Sequence, residues 1–283
     1  MTQEAELIES RLSDYPSIES LLGEIIRRRL RIECSTHGML TGHLLDEPSS
    51  KPDLDRLELV LQSADSCCKD FKLVFQEERL SNQNADAKII DMLAEVKACE
   101  FLCRHGFRDI TKIRPIPHAK IVDYTATRNN QNYAVEVTRL GLAQSYGKQP
   151  RYTLRVSTID YGTECEDADG CEFSVITEGI NVGRLEKEIT DAVNRKYPQI
   201  KSFCQTEADM WKRILIVSSG RDYFATGRYE NKAYDQTPER DFRQALEQLW
   251  SRLRQEPADY RYLDHLVVTR GKDLAKAITY PSL

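Results

Sequence analysis

The feature of this sequence that most constrains its fold is a hydrophobic period that keeps changing along residues 84–283. A helical period over about 86–105, closed by Gly106, gives way to strand-like patterns at about 119–127 (AKIVDYTAT) and 132–140 (NYAVEVTRL). The turn-like RNNQ joins the two strands. A less regular stretch, 141–180, carries the acidic run ECEDADGCE and reads as an exposed segment. A helix follows near 182–197 and is expected to end before Pro198. WKRILIVSSG is a short apolar strand of the buried type, and RYLDHLVVTRG supplies a last strand. Between them TPERDFRQALEQLWSRL forms a helix with Thr237 as N-cap and Pro238 at its first position. Helix, two strands, helix, strand, helix, strand is the order of an α/β domain, a mixed central sheet flanked by helices.

The first 80 residues follow a different pattern. IESLLGEIIRRRLRIE places Leu21, Leu22, Ile25, Ile26 and Leu30 at helical spacing, and its RRRLR run reads as a solvated helix face. DEPSSKPD, residues 46–53, reads as a linker because of its prolines and serines, after which LDRLELVLQSADSCCKDFKLVFQEERL resumes as helix. SNQNAD, residues 81–86, is a polar break rich in N-cap residues. The division falls there, with a helical N-terminal region over 1–80 and the α/β domain over 84–283.

Composition narrows the function. A net charge of −5 and a pI near 5.7 argue against coating DNA by bulk positive charge, but they leave room for a local basic groove. There is no G-x-x-x-x-G-K-[ST] phosphate loop, no G-x-S-x-G elbow, and no pair among the five histidines one helical turn apart. These absences weigh against ATP hydrolysis, serine-hydrolase chemistry and a zinc-hydrolase helix. The start, MTQEAELIESRLSDYP, is acidic and polar, unlike a secretory leader, and no apolar run approaches the roughly 18 residues of a membrane span. The expectation is a cytoplasmic chain with no membrane contact, whose eight cysteines are reduced thiols. Cys34-x-x-His37 and the Cys99/Cys103 pair have ligand-like spacing, yet neither has a second half at a recognisable zinc distance.

Three carboxylates stand out by position. Glu95 falls on the flank of a helical stripe running through Ile89, Leu93, Val96 and Cys103. Asp123 and Glu136 lie on successive strands, each preceded by apolar residues, and Glu136 shares a face with Ala134 and Thr138. If those strands pair, the two carboxylates can converge. Such a convergence is unfavourable unless a cation neutralises it or one group holds a proton. Magnesium is the usual cation for carboxylate-plus-water sites and serves phosphodiester hydrolysis.

AEVKACEFLCRHGF, then KIVDY, then YAVEVTRL resembles the PD-(D/E)xK nuclease superfamily, over roughly residues 84–218. That superfamily includes type II restriction enzymes and archaeal Holliday-junction resolvases. The resemblance implies a restriction-endonuclease-like fold, a helix glutamate (Glu95), a strand aspartate (Asp123) and a second strand bearing (D/E)-x-K (Glu136), with magnesium, or manganese in its place, on the carboxylates. The chain departs from the pattern at the lysine, where Thr138 stands. Threonine can hydrogen-bond but supplies no positive charge. Some members relocate the lysine to the following helix, and here Lys196 lies on the stripe of Val182, Leu185, Ile189 and Ala192. The bland reading of Lys196 is an end-of-helix side chain that snorkels to solvent. Arg139 and Lys120 are out of phase with the carboxylate faces. The resemblance thus implies a metal-dependent nuclease, with DNA as partner, a homodimer, and in some settings a separate ATPase or helicase. The alternative is a catalytically inactive binding or scaffold subunit that has lost its lysine.

Overall fold

A computed structural model describes residues 3–31, 39–72, 85–114, 121–140, 182–206, 211–219, 238–255, 263–270 and 273–281. The chain is an α/β protein, and its described residues form a mixed sheet of seven strands in sequential order, β1 to β7. The elements are α1 (Gln3–Leu12), α2 (Pro16–Arg31), α3 (Met39–Leu45), α4 (Glu47–Cys67), β1 (Cys68–Lys69), α5 (Ala85–Arg104), β2 (Arg108–Lys112), β3 (Tyr124–Arg128) and β4 (Gln131–Arg139). They continue with α6 (Val182–Thr206), β5 (Trp211–Ser219), α7 (Glu239–Gln255), β6 (His265–Arg270) and β7 (Asp273–Tyr280).

Strands β2, β3 and β4 form an antiparallel meander, β4, β5 and β6 run parallel, and β7 returns antiparallel at the edge. The β3–β4 hairpin closes on Asn129 and Asn130, both with positive φ (52° and 61°) between the paired Arg128 and Gln131. Two left-handed residues in a two-residue loop match the twist of the flanking strands, and asparagine tolerates that conformation. Parallel pairing of β4, β5 and β6 needs crossovers, and α6 and α7 lie in the two crossover segments.

The sheet separates two apolar layers. On one side Tyr124, Val135, Val137, Ile214 and Ile216 meet α5, and the same continuous core extends into α1, α2 and α4. On the other, Leu215, Val217, Leu266 and Val268 meet α6 and α7. Helix α5 is therefore enclosed, with Leu93, Val96, Lys97, Ala98, Cys99, Phe101 and Leu102 all buried. This corrects the single stripe read from its sequence, because α4 covers the side of α5 turned away from the sheet. Gly106, at φ 75°, ends it: Phe107 N–H bonds to Leu102 O and Gly106 N–H to Cys103 O, which satisfies the last carbonyls. The buried Glu58 carboxylate of α4 accepts the Ser17 and Ile18 N–H groups at 2.7 and 2.9 Å, tying α4 to the N-terminus of α2.

Other expectations need correcting. DEPSSKPD is no linker after Asp46: Glu47 opens α4, with a proline in its first two positions and Pro52 inside it. Proline is tolerated at the first positions because those N–H groups have no helical partner. Helix α6 continues through Pro198 to Thr206 rather than stopping before it. Helix α7 begins at Glu239, one residue later than read, with Pro238 O accepting the Asp241 and Phe242 N–H groups, and Thr237 lies outside the described residues. Strands β1, β2 and β7 were not anticipated, and Asp123 precedes β3 rather than lying within it. Cys67 and Cys103 are joined in a disulfide, against the expectation of reduced thiols, because the end of α4 meets the last turn of α5. Cys34, His37, Lys120 and ECEDADGCE lie outside the described residues. No described helix is long and apolar enough to cross a membrane.

Candidate functional site

The site lies where β3 stops accompanying β4. Paired residues run from Arg128↔Gln131 up to Tyr124↔Val135, after which Glu136–Arg139 keep β5 on one side but have no β3 strand partner on the other. Asp123 fills part of that gap. Its N–H bonds to Val135 O at 3.0 Å, and its carboxylate Oδ2 accepts the Val137 N–H at 2.7 Å. A side-chain oxygen thus replaces the strand carbonyl that would otherwise meet Val137, and the Asp123 carboxylate is held against β4.

Around this open edge α5 approaches from one face of the sheet and α6 from the other. A cleft of about 370 Å³ opens between them, lined by Asp91, Ala94 and Glu95 of α5, Val137, Thr138 and Arg139 of β4, and Arg195 and Lys196 of α6. Glu95 is fixed by its own backbone, since the buried Tyr124 hydroxyl donates to Glu95 O at 3.0 Å. Its carboxylate pairs with Lys112 of β2, whose Nζ also lies 3.6 Å from Asp123 Oδ1 and 4.9 Å from the centre of the Tyr124 ring. Lys112 is buried, so its ammonium has exchanged water for these two carboxylates and an aromatic face.

Glu136 points to the other face. It is fully buried, and its Oε1 accepts from Lys196 Nζ at 2.7 Å. Oε2 of Glu136 is buried with no hydrogen-bond partner among the described residues. Burial pushes the Glu136 carboxyl well above the ordinary carboxylate range, and the negative charge of Asp123 pushes it further, against the opposing pull of Lys196. Burial alone would lower the Lys196 ammonium, but the charges of Glu136, Asp123 and Glu95 outweigh that and raise it. The same charges act on both partners, so the three carboxylates and Lys196 form one electrostatic group although Glu95 and Glu136 approach from opposite faces.

The residues singled out by sequence therefore fall into two sets. Glu95 and Asp123 share Lys112, while Glu136 pairs with Lys196. Thr138 is buried on the Glu136 face and accepts from Arg195 Nη2 at 3.3 Å; the same guanidinium nitrogen reaches Arg139 O at 3.2 Å. Arg139 turns toward α5, 3.4 Å from Asp91. Sequence reasoning missed Lys112 and Arg195. The signal for Lys112 was the alternation of R-D-I-T-K, where Ile110 and Lys112 are the buried residues; Arg195 stands beside Lys196.

The donors of the group are hard carboxylate oxygens, suited to magnesium or manganese rather than to a soft metal. Among the described residues, however, the oxygens of Glu95, Asp123 and Glu136 do not all lie within 4.8 Å of one another, and Lys112 occupies Glu95 and Asp123 while Oε2 of Glu136 is left without a partner. No protein-family model, no curated protein and no solved structure matches this chain, so its function has to be argued from these side chains.

Proposed function

We propose that this chain is a metal-dependent nuclease that hydrolyses phosphodiester bonds in DNA, with a restriction-endonuclease-like domain over 84–283. The observation that carries the reading is the 2.7 Å pair between Lys196 of α6 and Glu136 of β4. It brings an ammonium to the strand glutamate whose motif position two residues on is Thr138. The chain order of a helix glutamate (Glu95), an aspartate just before β3 (Asp123) and a β4 glutamate (Glu136) adds support, with Glu95 and Lys196 lining the same cleft.

In this reading Asp123 and Glu136, assisted by Glu95, hold magnesium, with manganese able to replace it. When bound, the ion supplies activation of the attacking water and stabilisation of the leaving oxygen. Lys196 opposes the burial that favours a protonated Glu136 and, with Thr138, orients the water by hydrogen bonds. Arg195 and Arg139, at the mouth of the cleft, offer fixed donors to a phosphate, for which the guanidinium fork is well shaped. Asp123 keeps its carboxylate in place through the Val137 N–H. A homodimer would cut both strands, and a separate ATPase or helicase would present the substrate.

A second reading rests on Lys112. Two lysines already neutralise most of the charge of three carboxylates, as a binding or scaffold subunit of a nucleic-acid-processing complex would need after losing its metal. Cleavage of plasmid and branched DNA with magnesium separates the two. The nuclease reading expects activity in the wild type that disappears in Asp123→Ala. Equal cleavage by both proteins removes the assignment, and absence of both cleavage and magnesium or manganese binding favours the second reading.

A further inference from the structure

Half of the chain's eight cysteines gather where α4 meets α5. Cys67 and Cys68 stand where α4 passes into β1, and Cys99 and Cys103 lie one turn apart on α5. The Sγ atoms of Cys67, Cys99 and Cys103 all lie within 4.8 Å of one another, and Cys68, next in sequence to Cys67, is near enough to Cys99 for each thiol to shift the other's titration. Cys67 and Cys103 are bonded, while Cys68 and Cys99 are free and buried.

Fastening α4 to α5 by a disulfide requires two sulfurs. A third at this distance and a free thiol beside it do not contribute to such a fastening. They are what a thiophilic cation requires, since four thiolates at about 2.3 Å from zinc stand roughly 3.8 Å apart. The two segments enter from separate helices, so the second half of the ligand set that the Cys99/Cys103 spacing lacked in sequence is supplied by α4 in space. Apolar neighbours surround the cluster: Ala64, Ala98, Phe101 and Leu102 are buried in the same core. Cys99 is buried while Cys67 and Cys103 are half-buried, so a cation there sits at the edge of the core.

We propose that, once the disulfide is reduced, Cys67, Cys99 and Cys103 ligate a zinc ion with Cys68 as fourth ligand, and that the disulfide is the metal-free oxidised state of this site. A water-soluble phosphine achieves the reduction with a closed balance. It breaks the Cys67–Cys103 bond and is itself oxidised to the phosphine oxide, taking the oxygen of one water whose two protons go to the two sulfurs. Metal binding then replaces thiol protons, which pass to the buffer. The proposal does not depend on the nuclease reading, because soft sulfurs and hard carboxylates select different ions.

The test uses the full chain, reduced with phosphine without oxygen and titrated with cobalt(II) as a spectroscopic substitute. The expected result is one equivalent of cobalt with thiolate charge-transfer absorption and the visible bands of a tetrahedral centre, bleached by one equivalent of zinc. Cys99→Ser and Cys103→Ser should lose at least tenfold in affinity, whereas Cys34→Ser, Cys204→Ser and Asp123→Ala should keep the full signal. The oxidised protein should show none. A reduced wild type that keeps its circular dichroism yet gives no thiolate–cobalt band overturns the proposal without recourse to any variant. So does an undiminished band in a Cys67/Cys99/Cys103→Ser triple variant.

Discussion

Two lysines neutralise the carboxylates of the cleft, and they do so from opposite faces of the sheet by different means. Lys112 rises from β2 on the α5 side, is buried, and serves Glu95 and Asp123, each with about a fifth of its side chain exposed (19% and 20%). Lys196 comes from α6, keeps 24% of its own side chain exposed, and serves a Glu136 whose side chain is only 1% exposed. On the first side the buried member is the cation, and on the second it is the anion. The contrast bears on function. A buried lysine between two partly solvated carboxylates is a structural counter-ion, whereas a partly solvated lysine on a buried carboxylate keeps donors free to face a cleft. Lys196, not Lys112, has the setting of a group that meets substrate.

The sharpest way to break this contrast is kinetic. Under the nuclease reading Lys196→Met should lower cleavage by about 10²- to 10⁴-fold, the range of a proton-handling or water-orienting group, while magnesium binding followed by calorimetry persists. Lys112→Met should leave cleavage within roughly tenfold and tighten magnesium binding, because the competitor for Glu95 and Asp123 is gone. The reverse ranking would assign the catalytic position to β2 instead of α6.

The second comparison is one of stability, read by urea unfolding. Removing Lys112 leaves two carboxylates facing each other without a cation, and breaking such a buried pair costs about 3 kcal/mol. Lys196→Met should cost less, about 1–2 kcal/mol, because Glu136 can take up a proton rather than remain a buried anion. Adding Glu95→Gln should recover part of the Lys112→Met loss and none of the Lys196→Met loss. Equal costs would show that the two lysines do the same structural work.

Much of this framework was legible in the sequence, and the reasons are physical. The β3–β4 hairpin announced itself through RNNQ, since two asparagines at a loop's centre favour the left-handed turn that aligned strands need. Gly106 likewise marked the end of α5. The α/β class followed from alternating periods, and a mixed sheet is what the chain forms. Other features depended on long-range contacts. β2 is only five residues long and its charged residues outnumber its apolar ones, so the alternation that puts Lys112 beside Ile110 is too short to stand out. Helix α5 looked one-sided because its own periodicity does not reveal that α4, the preceding described helix, folds back over its far side. Helix α6 passes Pro198 because its packing on β4, β5 and α7 outweighs the lost backbone bond. The pairing of Lys196 with Glu136 joins residues 60 positions apart, so the sequence offered Lys196 only as a candidate on a helical stripe.

The smallest effect expected is also the one that reads Glu136 most directly. Its folded-state carboxyl lies above its ordinary value of 4.5, first because it is buried and then because Asp123 is negative. Between those two values the folded chain holds a proton that the unfolded chain has released, so stability falls as pH rises through the window, by at most about 1.4 kcal/mol per pH unit for one proton. Lys196 gives a slope of the same sign in a higher window. Its raised ammonium stabilises the fold below its ordinary 10.5, and that contribution is lost as pH rises through the folded value. Glu136→Gln keeps an acceptor for Lys196 but cannot ionise, so thermal unfolding of this variant should lose the slope in the lower window, and the alkaline decline should weaken because the charge of Glu136 is the first of the causes that raise Lys196. Magnesium binding to the wild type should strengthen with pH across the same lower window, by up to tenfold per unit, because the ion and the proton compete for one carboxylate. An unchanged slope in Glu136→Gln would move the titrating group elsewhere, and Asp123 would become the next residue to replace.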